Sequence, residues 1–213
     1  LEKEDEYLGI ALGGMRKGVS PLKLAEAYAA FPNGGKRQDA HLITKIVGPT
    51  GSIIAERDKE TVKVTTKTVS NQMTSMLLNV VETGTGSATK IEGVQIAGKT
   101  GSTQLPYKDI NGTKDQWFVG YTPNLVGAVW LGYDQTDREH YLSKSSSETA
   151  VPVFRAIMES SLPYMQEGEF TTKSVNEKLE KKELTEEIGQ TIKEQAEKFE
   201  GKIREDLPIW KEN

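Results

Sequence analysis

The stretch that decides the fold is residues 94–103, Val94-Gln95-Ile96-Ala97-Gly98-Lys99-Thr100-Gly101-Ser102-Thr103. Apolar residues lead it, small and hydroxylated residues follow, and one lysine stands between them. Three readings compete. Gly93 to Thr100 spells G-x-x-x-x-G-K-T, the formal phosphate-binding pattern. That pattern works only where a strand precedes the first glycine and a helix starts near the lysine, so that backbone N–H groups ring the phosphates. Here Val94 to Ala97 is itself strand-like, polar residues precede Gly93, and Gly101 and Pro106 forbid a helix after Thr100. The phosphate reading fails on those grounds. The second reading is a plain edge strand whose lysine discourages pairing with another chain. The third is a strand whose Lys99-Thr100-Gly101 run carries chemistry, and the flanking sequence decides between these two.

Downstream, Gln116 to Tyr121 and Leu125 to Tyr133 are rich in β-formers, and the link Thr122-Pro123-Asn124 is short enough to require antiparallel pairing. Thr149 to Met158 reads as a helix with Val153, Phe154, Ile157 and Met158 on its apolar side. Upstream, Ser70 to Glu82 is a second helix, with Met73, Met76, Leu77 and Val80 on one face and Gly84-Thr85-Gly86 ending it. His41 to Val47 and Ser52 to Glu56 form a hairpin across Gly48-Pro49-Thr50-Gly51, and Thr61 to Thr66 is weakly strand-like. Ser20-Pro21 opens another helix, because serine can cap free N–H groups and proline suits the first helical position. Leu24, Ala25, Tyr28 and Phe31 form its buried stripe, and Asn33-Gly34-Gly35 stops it. The fold class expected is α+β, an antiparallel sheet flanked by helices.

From Gln166 onward glutamate and lysine dominate, and Leu184, Ile188, Ile192, Phe199 and Ile203 recur at helical spacing. Ser174 with Glu177 fits a helical capping box. The expected organisation is a folded domain over 1–165 and a charged amphipathic helical tail over 166–213. The tail's apolar stripe suits folding back onto the domain, or docking on another protein.

Composition excludes several functions. The 213 residues carry a formal net charge of −4, so no basic footprint points to nucleic acid. Cysteine is absent, and His41 and His140 have no second ligand at metal spacing, so no metal site is expected. No stretch is apolar enough to span a bilayer and no signal peptide opens the chain. The sequence begins at Leu1-Glu2-Lys3 without a methionine, and the expectation is a piece of a longer protein.

Five ordered blocks favour the chemical reading of the central strand. They are Ser20-Pro21-Leu22-Lys23-Leu24-Ala25-Glu26-Ala27-Tyr28 with Asn33-Gly34-Gly35, then Val80-Val81 with Gly84-Thr85-Gly86, then Ala97 to Thr103. Asp115 to Pro123 and Leu131-Gly132-Tyr133-Asp134 follow. Together they resemble the transpeptidase domain of penicillin-binding proteins, the class A bifunctional members above all, over roughly residues 8–165.

The resemblance implies a serine D,D-transpeptidase that crosslinks peptidoglycan stem peptides and is acylated by β-lactam antibiotics, with no cofactor and no metal. It implies a parent on the outer face of the bacterial cytoplasmic membrane, anchored by an N-terminal segment and carrying a glycosyltransferase domain. It assigns Lys99 and Ser102 catalytic roles, and Thr100, Gly101, Ser102 and Thr103 substrate contacts. Lys99 would supply positive charge and proton traffic; the Ser102 N–H would be one arm of an oxyanion hole; Gly101 would let substrate lie close. Other cell-wall proteins are the partners expected for the tail. The alternative is a non-catalytic module that senses β-lactams or scaffolds wall proteins.

The family also needs S-x-x-K and S-x-N upstream of K-T-G. Ser20-Pro21-Leu22-Lys23 matches the first literally, but in a block that should follow S-x-N. Ser174-Val175-Asn176 matches the second on the wrong side of Lys99. Both serines read as helix caps. The nucleophile is therefore expected N-terminal to Leu1, and this chain alone should not be acylated.

Overall fold

A computed structural model describes residues 3–5, 8–58, 60–180, 193–195 and 197–198. By internal contacts the chain divides into two compact units, Leu1–Val175 and Asn176–Asn213. Leu184, Ile188, Ile192, Phe199 and Ile203, the expected apolar stripe of the tail, lie outside the described residues.

Within the first unit, helix α1 spans Pro21–Tyr28, with the Ser20 hydroxyl accepting the Lys23 N–H at 3.3 Å as its cap. Gly34 and Gly35 follow with φ of 62° and 88°, left-handed values that side chains avoid. Gly35 is also spatially obligatory, since a Cβ there would stand 2.4 Å from the Thr65 carbonyl oxygen. Strand β1 (Lys36–Arg37) pairs with β4 (Val62–Lys63), and β2 (Lys45–Val47) with β3 (Ile53–Glu56), all antiparallel. The hairpin strand begins at Lys45 rather than His41. Leu42 and Ile43 are exposed, and β2 meets only the short β3 opposite Lys45, Ile46 and Val47.

Helix α2 runs over Lys67–Glu82 behind a Thr66 cap, three residues earlier than the sequence pattern suggests. Its buried face is Ser70, Thr74, Ser75, Leu77, Leu78 and Val81, while Met76 is exposed. The expected stripe is thus rotated, and hydrogen bonds explain how Thr74 and Ser75 sit inside, whereas the buried Ser70 hydroxyl has no partner among the described residues. Thr74 shares a hydrogen bond with the Tyr121 hydroxyl at 2.8 Å, and Ser75 donates to the Lys173 carbonyl at 2.6 Å.

The central sheet has the order β5-β6-β7, with β5 at Ala97–Gln104, β6 at Thr113–Tyr121 and β7 at Val126–Gly132, all antiparallel. Helix α3 (Ala150–Ser161) lies on one face, where Phe154 meets Phe118 edge-on at 4.7 Å. Val81, Ile96, Val129, Ala150, Val151 and Met158 complete this cluster. Each such side chain larger than alanine, when fully buried, contributes roughly 1.5–3 kcal/mol relative to exposure. Val153 and Ile157, expected inside, face outward, and Ala150 and Val151 take their place. A second cluster joins Leu77, Leu78, Ala97 and Tyr121 with Tyr28, Phe31 and Phe170. The burial of Tyr121 pushes its hydroxyl pKa up to about 12, against the opposing pull of its Thr74 hydrogen bond. Helix α4 then occupies Val175–Glu180, starting one residue after the predicted cap Ser174.

Candidate active site

Strand β5 is an edge strand, paired with β6 on one side only. Its register sets Lys99 opposite Val119, Thr100 opposite Phe118, Gly101 opposite Trp117, Ser102 opposite Gln116 and Thr103 opposite Asp115. Directly opposed residues share a face, so Gly98, Thr100 and Ser102 project toward the α3 side and Lys99, Gly101 and Thr103 toward the other. The strand can seat this way because Gly98 has no Cβ; one would stand 2.5 Å from the Phe118 ring. A Cβ at Gly101 would meet the Trp117 Cβ at 3.3 Å, so glycine also relieves crowding there.

The Lys99 side chain is exposed and folds along the strand, its Nζ donating to the Thr100 carbonyl at 2.9 Å and the Thr100 hydroxyl at 3.3 Å. Among the described residues no carboxylate pairs with it. The Thr100 hydroxyl also meets that of Thr85 at 2.8 Å, which brings the Gly84-Thr85-Gly86 turn against the strand. The Ser102 hydroxyl meets that of Ser146 at 2.6 Å, and the Ser146 Oγ–H donates to the Gly101 carbonyl at 2.8 Å. Thr103 is exposed. The five predicted residues therefore lie along one strand, with Lys99, Thr100 and Ser102 drawn into a polar network.

Sequence reasoning missed the second layer. Ser146, Ser147 and Thr149 sit in the turn before α3, and Ser147 donates to the Thr85 carbonyl at 2.8 Å. The buried amide of Gln116 holds this turn, donating to the Lys144 carbonyl and accepting from Thr149. The available signal was the run Ser145-Ser146-Ser147 ahead of a helix, which reads only as a cap.

Beyond β5, Arg138 pairs with Asp109 and lies over the Tyr107 ring at 5.2 Å, while Thr113 and Leu142 exchange backbone hydrogen bonds at 2.9 and 3.0 Å. The polar loop after the strand is thereby tied to the loop after β7. A cleft of about 510 Å³ lies elsewhere, lined by Phe31, Lys36, Lys67, Asn71 and Phe170 among others. None of Lys99 to Thr103 lines it. Among the described residues no three metal-ligating side chains converge, and no helix is long and apolar enough to cross a membrane.

Strand β5 thus presents an exposed ammonium, clustered hydroxyls and a glycine along one sheet edge. Residues 4–159 match the penicillin-binding protein transpeptidase domain. Penicillin-binding protein 2a of Streptococcus pneumoniae serotype 2 is 42% identical over 174 residues, covering 82% of this chain and 24% of that protein. Penicillin-binding protein 1F of Bacillus subtilis is 47% identical over 144 residues, covering 67% and 20%. The penicillin-binding protein PonA1 of Mycobacterium tuberculosis superposes with a TM-score of 0.64 at 25% identity, covering 78% of this chain and 44% of that one. The chain belongs to the penicillin-binding protein transpeptidase family, and its mixed helix and antiparallel-sheet architecture is that of the family. It spans about a quarter of the length of its curated relatives.

Proposed function

We propose that this chain forms the Lys99-Thr100-Gly101 wall of the acyl-transfer site of a peptidoglycan D,D-transpeptidase. The observation that carries the reading is the Lys99 ammonium, unpaired with any carboxylate among the described residues, beside clustered hydroxyls on an edge strand of this family. A stem peptide ending in D-Ala-D-Ala adds along the unpaired edge of β5, as extended peptides do on exposed strands. Its terminal carboxylate lies near Lys99 and the hydroxyl of Thr100. A serine then attacks the scissile carbonyl, D-alanine leaves, and an amine from a neighbouring strand takes the acyl group. The backbone N–H of Ser102 faces the developing oxyanion; such a donor is typically worth about 10²–10³ in rate. Thr103 supports the strand where substrate leaves it.

The serine, its lysine partner and the S-x-N element are assigned to polypeptide preceding Leu1, a reading supported by the chain's share of its relatives' length. The same portion would hold the protein at the outer face of the cytoplasmic membrane, with the charged tail beyond Val175 contacting other wall proteins. A solved relative carries penicillin V, which supports β-lactams as ligands of this surface too.

The test uses the protein with its upstream segment and a fluorescent penicillin. Covalent labelling is expected, and Lys99→Ala should slow it on the order of 10²-fold, a loss of transition-state rather than ground-state interaction. Labelling at the wild-type rate would overturn the role given to Lys99. Reversible binding without a covalent adduct would favour a β-lactam-sensing or scaffolding module instead.

A further inference from the structure

We infer that Ser146 is a positioning residue that aims the Ser102 N–H, an inference that rests on the acyl-transfer reading above. The Gly101 carbonyl and the Ser102 N–H belong to one peptide unit. That unit is planar and trans, so the two bonds point in opposite directions and cannot turn independently. A hydrogen bond that fixes the Gly101 oxygen therefore fixes the direction of the Ser102 N–H. Ser146 makes such a bond at 2.8 Å, as a second donor to an oxygen that the register also turns toward the Trp117 N–H of β6.

The same two contacts also assign the hydroxyl protons. Ser146 has one hydroxyl proton, and a carbonyl can only accept, so that proton belongs to Gly101. The 2.6 Å contact between the two serine hydroxyls must then run from Ser102 to Ser146. Ser102 has spent its proton on the turn and shows substrate no hydroxyl donor. Thr100 is not so constrained. Thr85 can donate to it at 2.8 Å, leaving the Thr100 proton free for a carboxylate. Ser102 thus works through its backbone and Thr100 through its side chain.

The device is rigid because its base is buried. Ser146 is 3% exposed, and the turn carrying it hangs from the fully buried Gln116, which stands directly opposite Ser102 in the sheet. Ser147 extends the same grip to Thr85. One turn therefore holds both the strand and the loop beside it.

Acylation kinetics of the full protein with fluorescent penicillin test this, resolved into the non-covalent binding constant and the acylation rate constant. Ser146→Ala should lower the rate constant about tenfold, a mis-aimed donor costing less than an absent one, and change binding less than about twofold. Ser102→Ala keeps the backbone N–H and should cost less than about threefold, whereas Thr100→Val should cost more than either serine change. The double variant should match Ser146→Ala alone, since Ser146→Ala already removes the one contact that Ser102→Ala removes. Ser146→Thr, which keeps the hydroxyl, should recover most of the rate, and melting temperatures separate unfolding from mis-aiming. An unchanged rate constant in Ser146→Ala, or an equal loss in Ser102→Ala, overturns the inference. A wild-type protein that takes no label overturns the acyl-transfer reading itself, and this inference with it.

Discussion

The exposed carboxylates and His140 are governed by their hydrogen bonds, whereas burial raises the hydroxyls of Tyr28 and Tyr121. His140 and Asp137 show the first in an exposed loop after β7. The His140 ring nitrogen lies 2.8 Å from the Asp137 carboxylate, which also accepts the backbone N–H groups of Glu139 and His140. These bonds, the ring's first, hold Asp137 down to about 2. The carboxylate in turn raises His140 above its ordinary 6.5. The signs give a window. The aspartate's share is present above its ordinary 3.8 and is lost as pH falls toward 2; the histidine's share is present below 6.5 and is lost as pH rises through its raised pKa. The loop is therefore tied most firmly between those limits. In an NMR titration the His140 midpoint should lie above 6.5, and Asp137→Asn should return it toward 6.5; a wild-type midpoint at or below 6.5 contradicts the pairing. Glu26 follows the same rule, lowered first by the Lys23 ammonium at 2.7 Å and then by the Ala40 N–H.

Strand β5 depends on the flatness of its neighbours. Phe118 fills the space where a Gly98 side chain would be, and Gly120 makes the same room opposite, since a Cβ there would stand 2.8 Å from that ring. Gly98→Ala should therefore destabilise the fold by about 1–3 kcal/mol through overpacking, visible as a lowered urea midpoint with an unchanged slope. A neutral result would mean that the Phe118 ring yields. The helices show where periodicity stops being informative. In α2 the apolar count favoured Met73, Met76, Leu77 and Val80; of these only Leu77 is buried, and the inner side otherwise follows Ser70, Thr74, Ser75, Leu78 and Val81. Small hydroxylated residues look like surface until a partner such as Tyr121 exists to satisfy them. In α3 Val153 and Ile157 have the right chemistry for a core but lie on the far side of Phe154 and Met158. Helix starts were more legible, because a cap such as Ser20 acts within one turn of itself and α4 begins directly after Ser174.

The path of the chain after α3 bears on how the domain is bounded. Residues 166–174 belong to the first compact unit. The Asn124 side chain donates to the Gln166 carbonyl at 3.0 Å, the Phe170 N–H donates to Gln95 at 2.8 Å, and the Phe170 ring meets Tyr121 edge-on at 5.6 Å. Charged composition placed a boundary at 165; these contacts favour one nearer 175. A chain ending at Met165 should be less stable than one ending at Val175 by about 2–3 kcal/mol, the order expected for losing one half-buried aromatic and its contacts. Equal stability by chemical denaturation would restore the earlier boundary.

What the sequence determined by itself was local or ordered along the chain. The caps, the glycine stops, the antiparallel pairing forced by a short link, and the five blocks around Lys99-Thr100-Gly101 all act over a few residues or in linear order. That was enough for the fold class and the family. Only the tertiary structure decided which face of each helix is inside, that residues 166–174 return to the sheet, and that Ser146 and Thr85 grip the strand. Ser146 lies 44 residues from Ser102 and Thr85 lies 15 from Thr100. No periodicity reports such a contact, because a hydroxyl acquires a role only when folding sets its one proton against a particular acceptor.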